Sequence, residues 1–293
     1  MEFFIEIIKT ILLGIVEGIT EWLPISSTGH MILLNDVLHL NVSDGFWEMF
    51  EVVIQLGAIL AVVVLYFKKL WPFAKSKNIE NGNSLITVGN IGMKKNTMTL
   101  WAKVIVAMLP AAIIGIPFDD FFDEHLHTSP VVAAALIVYG ILFIAIENIN
   151  KNKEFAVETV DDISFKKALG IGAFQALSLV PGTSRSGSTI LGASMLSVSR
   201  GAAAEFSFFL AIPVMLGASL IKTLKYVLDI AGGDEVFYGI YALYLAVGCA
   251  VAFAVSMAAI KFLTDFVKKH SFSAFGVYRI ILGIAVLAVY FIK

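Results

Sequence analysis

The segment that most restricts what this chain can fold into is Leu179–Gly192, LVPGTSRSGSTILG. It packs five hydroxyls (Thr183, Ser184, Ser186, Ser188 and Thr189) and Arg185 into seven residues, with apolar runs on either side. A charge at membrane depth is costly and calls for a partner or a task. Gly182 and Gly187 allow a tight turn that presents backbone N–H groups, and Pro181 fixes the entry. The apolar run resuming at Ile190 predicts a helix start just beyond. Amides at a helix N-terminus, hydroxyl donors and a guanidinium together make an anion cradle suited to phosphate. The plainer alternative is a polar loop between helices that carries an arginine.

The flanking runs decide the class. Of 293 residues, 58% are hydrophobic and 15% charged, with a mean hydropathy of +0.87; soluble domains carry about 25% charge. Several stretches approach the roughly 20 apolar residues that cross a bilayer. A soluble protein is excluded, and an all-α polytopic membrane protein is expected. The net charge of −2 carries no message about partners, because charge in such proteins is segregated by side. The lone Cys249 gives no intrachain disulfide and no cysteine metal site. The N-terminal MEFFIEIIKTILLG lacks the basic region and small-residue cleavage site of a removable signal peptide. No Lys/Arg-rich arm points to nucleic acid.

Residues 3–23 are apolar but carry Glu6, Lys9, Glu17 and Glu21. Pro24 breaks this helix, a polar turn follows at 25–29, and 30–40 runs back, giving a broken or re-entrant pair. Spans are expected at 45–67, 100–118 and 131–147, with polar loops at 68–99 and 119–130 and a mixed-charge linker at 148–167. The second half repeats the plan. Residues 168–180 are apolar, the cradle interrupts them, the chain returns from Ile190 toward Arg200, and spans follow at about 203–221, 237–257 and 273–292. GIVEGITEWLPISSTG (14–29) and GIGAFQALSLVPGTSRSG (170–187) are alike, and an offset of 158 sets Glu17 on Gln175 and Gly29 on Gly187.

Charge orients these pieces. The 68–99 loop holds six lysines and one acid and should be cytoplasmic, as should 258–272 with Lys261, Lys268 and Lys269. The 119–130 loop, with Asp119, Asp120, Asp123 and Glu124 and neither Lys nor Arg, should face outward. These sides agree if one membrane domain, 1–293, consists of two repeats (about 1–147 and 168–293) joined by a cytoplasmic linker at 148–167. Each repeat is then a re-entrant pair plus three transmembrane helices, and the odd number of crossings inverts the second. Interrupted hydrophobic segments in matching positions mark a binding site near the midplane. The alternative has both broken pairs crossing fully.

Glu17 and Glu21 are four residues apart and share a helix face, where two carboxylates repel. A cation between them, either a divalent metal or Arg185, makes sense of the pair. Carboxylates with phosphate and water as remaining ligands suit Mg²⁺ or Ca²⁺. Ser26, Ser27, Thr28 and His30 follow. Across a Pro-led turn His30 can act as base toward Ser27, or as acid toward a leaving phosphate oxygen; Ser26 also reads as an N-cap. Arg185 is one of three arginines against eighteen lysines, and its planar fork suits a diphosphate better than lysine would. Arg200 reads as closing the second re-entrant helix, and Arg279 receives no function beyond pairing with an acid. His125 and His127 beside the acids at 119–124 offer a surface metal site or, more plainly, a solvated loop. Gln175 is a second-layer donor.

E-x-x-x-E at Glu17–Glu21, LPISSTGH at 23–30 and PGTSRSGST at 181–189 resemble the bacterial undecaprenyl-diphosphate phosphatases, also called bacitracin-resistance proteins. The resemblance spans the chain, including EFSFFLAIP and YRIILG. It implies hydrolysis of undecaprenyl diphosphate to the monophosphate carrier lipid and inorganic phosphate, a recycling step of peptidoglycan synthesis. It further implies a divalent cation and a multi-pass protein of the bacterial plasma membrane whose site opens to the outer face. Carried over, Glu17 and Glu21 would hold the metal or position water. Ser27 or a water would attack the terminal phosphorus, with His30 as acid/base partner. Arg185, Ser26, Gly182, Thr183, Ser184, Ser186 and Thr189 would bind the diphosphate oxygens. The partners are the lipid substrate and the bilayer, with a homodimer left open and no nucleic acid. The competing reading is a transporter or flippase of a phosphate-bearing lipid or small anion, an architecture that also uses broken helices. Acidic groups facing an anion favour an enzyme over a carrier.

Overall fold

The structure is a computed structural model that describes residues 2–76, 79 and 83–292. Lys77 and Glu80, counted above in the charge of 68–99, lie outside the described residues. Helix α1 (Glu2–Thr20) ends in a turn at 21–25, and α2 (Ser27–Leu38) follows, as Pro24 predicts. Helices α3 (Asp44–Val53) and α4 (Gln55–Leu65) meet at Ile54 and make one apolar span, Asp44–Leu65. The short α5 (Phe67–Leu70) leads into a sheet of β1 (Phe73–Lys75), β2 (Ser84–Val88) and β3 (Ile91–Lys94), antiparallel in the order β1-β3-β2. The long helices follow: α6 (Lys95–Leu126), α7 (Ser129–Asn150), α8 (Phe165–Ala176), α9 (Arg185–Met195), α10 (Arg200–Gly232), α11 (Gly239–Lys269) and α12 (Ser273–Ile292). Among the described residues six helices are long and apolar enough to cross a membrane: Asp44–Leu65 and stretches of α6, α7, α10, α11 and α12. The chain is thus a mainly helical polytopic membrane protein.

Several boundaries depart from the sequence reading. The polar loop at 68–99 contains the small sheet, because Ile86, Val88 and Ile91 alternate with polar residues around a Gly89–Asn90 turn whose glycine takes φ +59°. The acidic stretch at 119–126 continues α6, which is kinked at Phe118 (φ −116°, ψ 16°) just after Pro117. Likewise α11 runs to Lys269 and takes up most of the loop expected at 258–272. Polar residues end an apolar run without ending a helix, so hydropathy marks the span and not the helix terminus. Finally α9 begins at Arg185, not beyond Ile190, because Ser184 caps it.

Helix α1 packs chiefly on α11, α8 on α6 and α7 on α12. Small residues bring these pairs close, as expected where lipid offers no hydrophobic drive for helix association. At the α7–α12 crossing, a Cβ on Gly140 would lie 2.7 Å from the Gly276 carbonyl oxygen, and one on Gly276 2.7 Å from that of Gly140. On α8, a Cβ on Gly172 would run into the Ala107 carbonyl of α6. The main core packs Trp22, from the turn after α1, edge-on to Phe208 of α10 at 5.3 Å. That contact sets the first broken segment beside the helix that follows the second.

Candidate active site

Two serines shape the site. Ser26 takes φ +72° and ψ 99°, and Ser184 takes φ +70° and ψ 125°. Each hydroxyl accepts from the backbone N–H three residues on, Gly29 at 3.3 Å and Gly187 at 3.1 Å. Both are N-caps held in a region of backbone space that L-residues seldom occupy. The two positions differ by the offset of 158 seen in the sequence. Ser27 and Arg185 consequently occupy the first helical position of α2 and α9.

These first positions meet through Glu21. Its Oε2 accepts from the Ser27 hydroxyl at 2.7 Å, and its Oε1 accepts from Arg185 Nη2 at 2.9 Å. Arg185 Nη1 donates to the Ser207 carbonyl at 2.7 Å and to its hydroxyl at 3.0 Å, and the guanidinium lies 5.7 Å from the Trp22 ring centroid. Ser27, Glu21, Arg185 and Ser207 therefore form one buried hydrogen-bonded chain. Of the two cations the sequence allowed at the carboxylate pair, Arg185 is the one this structure places on Glu21.

Glu17 is different. It is 1% exposed, and neither carboxylate oxygen has a hydrogen-bond partner among the described residues. It lines a cavity of about 710 Å³ together with Ser27 and Thr28 of α2, Glu48, Glu51 and Gln55 of the first span, Ser178 just ahead of the second motif and Pro181 at its start. An uncompensated buried carboxylate is expensive, and one without a hydrogen-bond partner beside a cavity suits a hard divalent cation. Since both Glu21 oxygens are engaged, Glu17 is the open ligand of the pair. Among the described residues there is no group of three or more His, Cys, Asp or Glu able to hold a metal ion, so a cation seated there would draw its other ligands from phosphate and water.

The remaining residues named from sequence do other work. His30 does not meet the Ser27 hydroxyl. Its Nδ1 donates to the Ser26 carbonyl at 2.7 Å, and its Nε2 accepts from the Tyr278 hydroxyl at 2.7 Å, with the two rings stacked at 5.6 Å. Most hydroxyls of the second motif bond to backbone, although Thr189 also pairs with the Ser207 hydroxyl at 2.6 Å and Ser188 is buried without a hydrogen-bond partner among the described residues. Thr183 donates to the Val180 and Leu177 carbonyls, Ser186 to the carbonyls of Glu21 and Leu23, and Thr189 to those of Arg185 and Ser186. These bonds, with the Ser184 cap, run against the expectation that Thr183, Ser184, Ser186 and Thr189 turn their hydroxyls toward phosphate: a hydroxyl in a tight turn or first helical turn satisfies the nearest backbone first. Gly182 takes φ +91°, and a Cβ there would lie 2.5 Å from the Val132 carbonyl oxygen. Gln175 is fully buried in α8 with neither amide atom bonded to a described residue, and it is not among the residues lining the cavity. His127 lines the cavity without a metal cluster, and Arg200 binds Glu147 through both its Nε (3.0 Å to Oε1) and Nη2.

Sequence reasoning missed Arg279. It is fully buried on α12, and its hydrogen bonds go to main-chain oxygens, with no acid paired to it among the described residues. Nη1 donates to the Pro24 carbonyl at 3.2 Å, and Nη2 donates to those of Gly182 at 2.8 Å and Thr183 at 2.9 Å. One guanidinium thereby ties the turn of the first motif to the turn of the second, while the neighbouring Tyr278 holds His30. The available signal was an arginine inside an apolar span, which needs a reason.

Comparison with known proteins gives a consistent picture. Residues 10–285 match the family described as bacitracin resistance protein BacA. An undecaprenyl-diphosphatase of Enterococcus faecalis is 57% identical over 286 residues, 98% of either chain. One of Acetivibrio thermocellus is 55% identical over 283 residues, 97% of either chain. Undecaprenyl-diphosphatase 1 of Clostridioides difficile is 53% identical over 288 residues, covering 98% of this chain and 97% of its own.

Proposed function

The chain belongs to the bacitracin resistance protein BacA family, and from that premise we propose that it is a bacterial membrane phosphatase hydrolysing undecaprenyl diphosphate to undecaprenyl phosphate and inorganic phosphate. The observation that carries the reading is the Ser27–Glu21–Arg185 chain beside the unpartnered carboxylate of Glu17. Acid, hydroxyl and guanidinium held together fit phosphoryl transfer; a simple anion carrier has no use for two carboxylates next to its ligand.

In this reading the diphosphate enters the cavity, and the Ser27 oxygen, or a water in its place, attacks the terminal phosphorus. Glu21, already accepting from Ser27, takes the proton. The bond from that phosphorus to the bridging oxygen breaks, and undecaprenyl phosphate leaves. Attack by Ser27 leaves a phosphoserine for water to cleave; attack by water releases phosphate directly. Arg185, which does not itself line the cavity, orients Glu21 from behind through Nη2. A divalent cation, Mg²⁺ or Ca²⁺, held by Glu17 would neutralise the charge of the diphosphate. Ser26, Gly182, Thr183, Ser184, Ser186 and Thr189 shape and brace the turns around it, and His30 braces the first turn through the Ser26 carbonyl. Gln175 occupies the Glu17 position of the other half without its charge.

The two halves, about 1–147 and 168–293 with 148–167 as linker, are read as inverted repeats. The matched Ser26 and Ser184 caps support this, as does the α1–α11 contact answered by α8–α6. The site is read as open to the outer face, because its cavity wall reaches Asp119 and His127 of the acidic segment.

The test is phosphate release from undecaprenyl diphosphate by detergent-purified protein, with and without EDTA, beside Glu21→Gln and Arg185→Ala. Metal-dependent release by wild type that both variants lose is the expected result. No release from folded wild type with Mg²⁺ and Ca²⁺ both supplied would sink the reading and leave transport as the working idea.

A further inference from the structure

The small sheet exposes the face that a sheet in water would bury. Residues directly paired across antiparallel strands share a face. The register pairs Phe73 and Ile86 with Met93, and Lys75 and Val88 with Ile91; Ala74, Gly92 and Thr87 lie on the opposite side. On that opposite side Gly92 is buried, with a Cβ on it 2.5 Å from Ile79 Cδ1, while Thr87 at its edge is exposed to water. The apolar side is open, with Val88 77% exposed, Ile91 58% and Ile86 57%. A one-sided apolar sheet ordinarily rests on a core.

Its surroundings say what it rests on. The sheet connects the end of the Asp44–Leu65 span to Lys95, where the next span starts, so both its ends are held at one membrane boundary. Phe67, Trp71 and Phe73 form a ladder from the span to the apolar face, with ring centroids 5.5 Å and 5.8 Å apart, and each is about half exposed. Aromatic side chains with that placement mark the headgroup level of a bilayer. Lys75 rims the apolar face, and Lys68, Lys94 and Lys95 flank it in a segment, 68–99, that carries six lysines against one acid. Apolar area edged by lysine is the pattern that binds an anionic lipid surface.

We infer that this sheet lies flat on the membrane, its Phe73–Ile86–Val88–Ile91 face against the acyl-chain boundary and its lysines on anionic headgroups. It anchors the connection between the first two spans at the lipid surface. A second copy of the chain or a soluble protein could cover the same face, but neither accounts for the aromatic ladder rising out of the span.

Adjacent residues on opposite faces make a sharp test. Val88→Cys and Thr87→Cys, each in a Cys249→Ala background, would carry a polarity-sensitive fluorophore in vesicles of phosphatidylglycerol with phosphatidylcholine, or of phosphatidylcholine alone. The label at 88 should emit to the blue, be quenched by nitroxides on lipid acyl chains and be shielded from iodide; the label at 87 should do the reverse. The blue shift at 88 should shrink without the anionic lipid. Equal iodide quenching at both positions overturns the inference. Shielding at 88 without nitroxide quenching also overturns it and assigns the face to a protein, a second copy included. A contrast that is identical in phosphatidylcholine alone removes the headgroup half. Phosphate release by each labelled protein reports that it is folded, and Ile86→Cys reads the same face if the variant at 88 is not.

Discussion

Ser26 and Ser184 share a backbone conformation, φ +72° and +70°, and a capping bond to the N–H three residues on. An L-residue pays steric energy at such a φ, about 1–3 kcal/mol where the surroundings enforce it. The two are the points where each broken segment turns back, so the strain sits where the motif residues are presented.

Alanine and glycine separate strain from capping. Ser184→Ala keeps the Cβ and loses the cap, and should lower stability by about 1 kcal/mol. Ser184→Gly also loses the cap but relieves the backbone, so it should melt at or above the temperature of Ser184→Ala. The same order is expected at Ser26. Thermal unfolding in detergent reads it, and the reverse order would mean that φ is not strained at these positions.

The α7–α12 crossing offers a second check. With each glycine's carbonyl 2.7 Å from where the other's Cβ would sit, Gly140→Ala or Gly276→Ala must push the helices apart. Overpacking of this kind costs about 1–3 kcal/mol. Arg279 and Tyr278 ride on α12, so activity should fall with stability. A melting curve beside a phosphate-release assay decides the point; an unshifted melt would show that the crossing yields freely.

Much of this could be read from sequence, and the parts that could not share a cause. The six spans and two breaks follow from apolar runs and from Pro24 and Pro181, because the bilayer forces backbone bonding to be local. Glu17 and Glu21 were legible as a helical pair. Their different fates were not, since Arg185, 164 residues away, engages Glu21 alone. The hydroxyls at 183–189 looked like phosphate donors because composition does not reveal that Ser184 caps Gly187 or that Ser186 reaches the Glu21 carbonyl. Arg279 was invisible for the same reason: its partners are main-chain oxygens at 24, 182 and 183, and any residue type supplies those.

Arg279 itself should prove hard to replace. Hydrogen bonds from a charged donor are worth about 1.5–3 kcal/mol each, and three carbonyls from two separate turns share this guanidinium. Lysine keeps the charge but has no planar fork. Arg279→Lys should therefore remain folded yet lose about 100-fold in kcat, ~2.7 kcal/mol of barrier, with KM changed far less. Steady-state kinetics on undecaprenyl diphosphate would show it. Wild-type kcat in Arg279→Lys would mean that the two turns hold their relation without the clamp.

The last prediction separates the two carboxylates. Glu21 is occupied by Ser27 and Arg185, whereas Glu17 borders the cavity with both oxygens buried and unpartnered among the described residues. Glu21→Gln removes the proton acceptor, so its loss, about 100-fold or more in kcat, should persist at any concentration of Mg²⁺ or Ca²⁺. Glu17→Gln keeps the shape and removes the charge a cation would neutralise. Its defect should be in the metal requirement, with activity partly restored as the cation is raised, and with a melting temperature at or above wild type because a buried, unpaired carboxylate is gone. EDTA should stop wild type, and either cation should restore it. A metal titration of the three proteins gives the answer: identical midpoints for wild type and Glu17→Gln would take the cation away from Glu17 and leave its buried carboxylate needing another explanation.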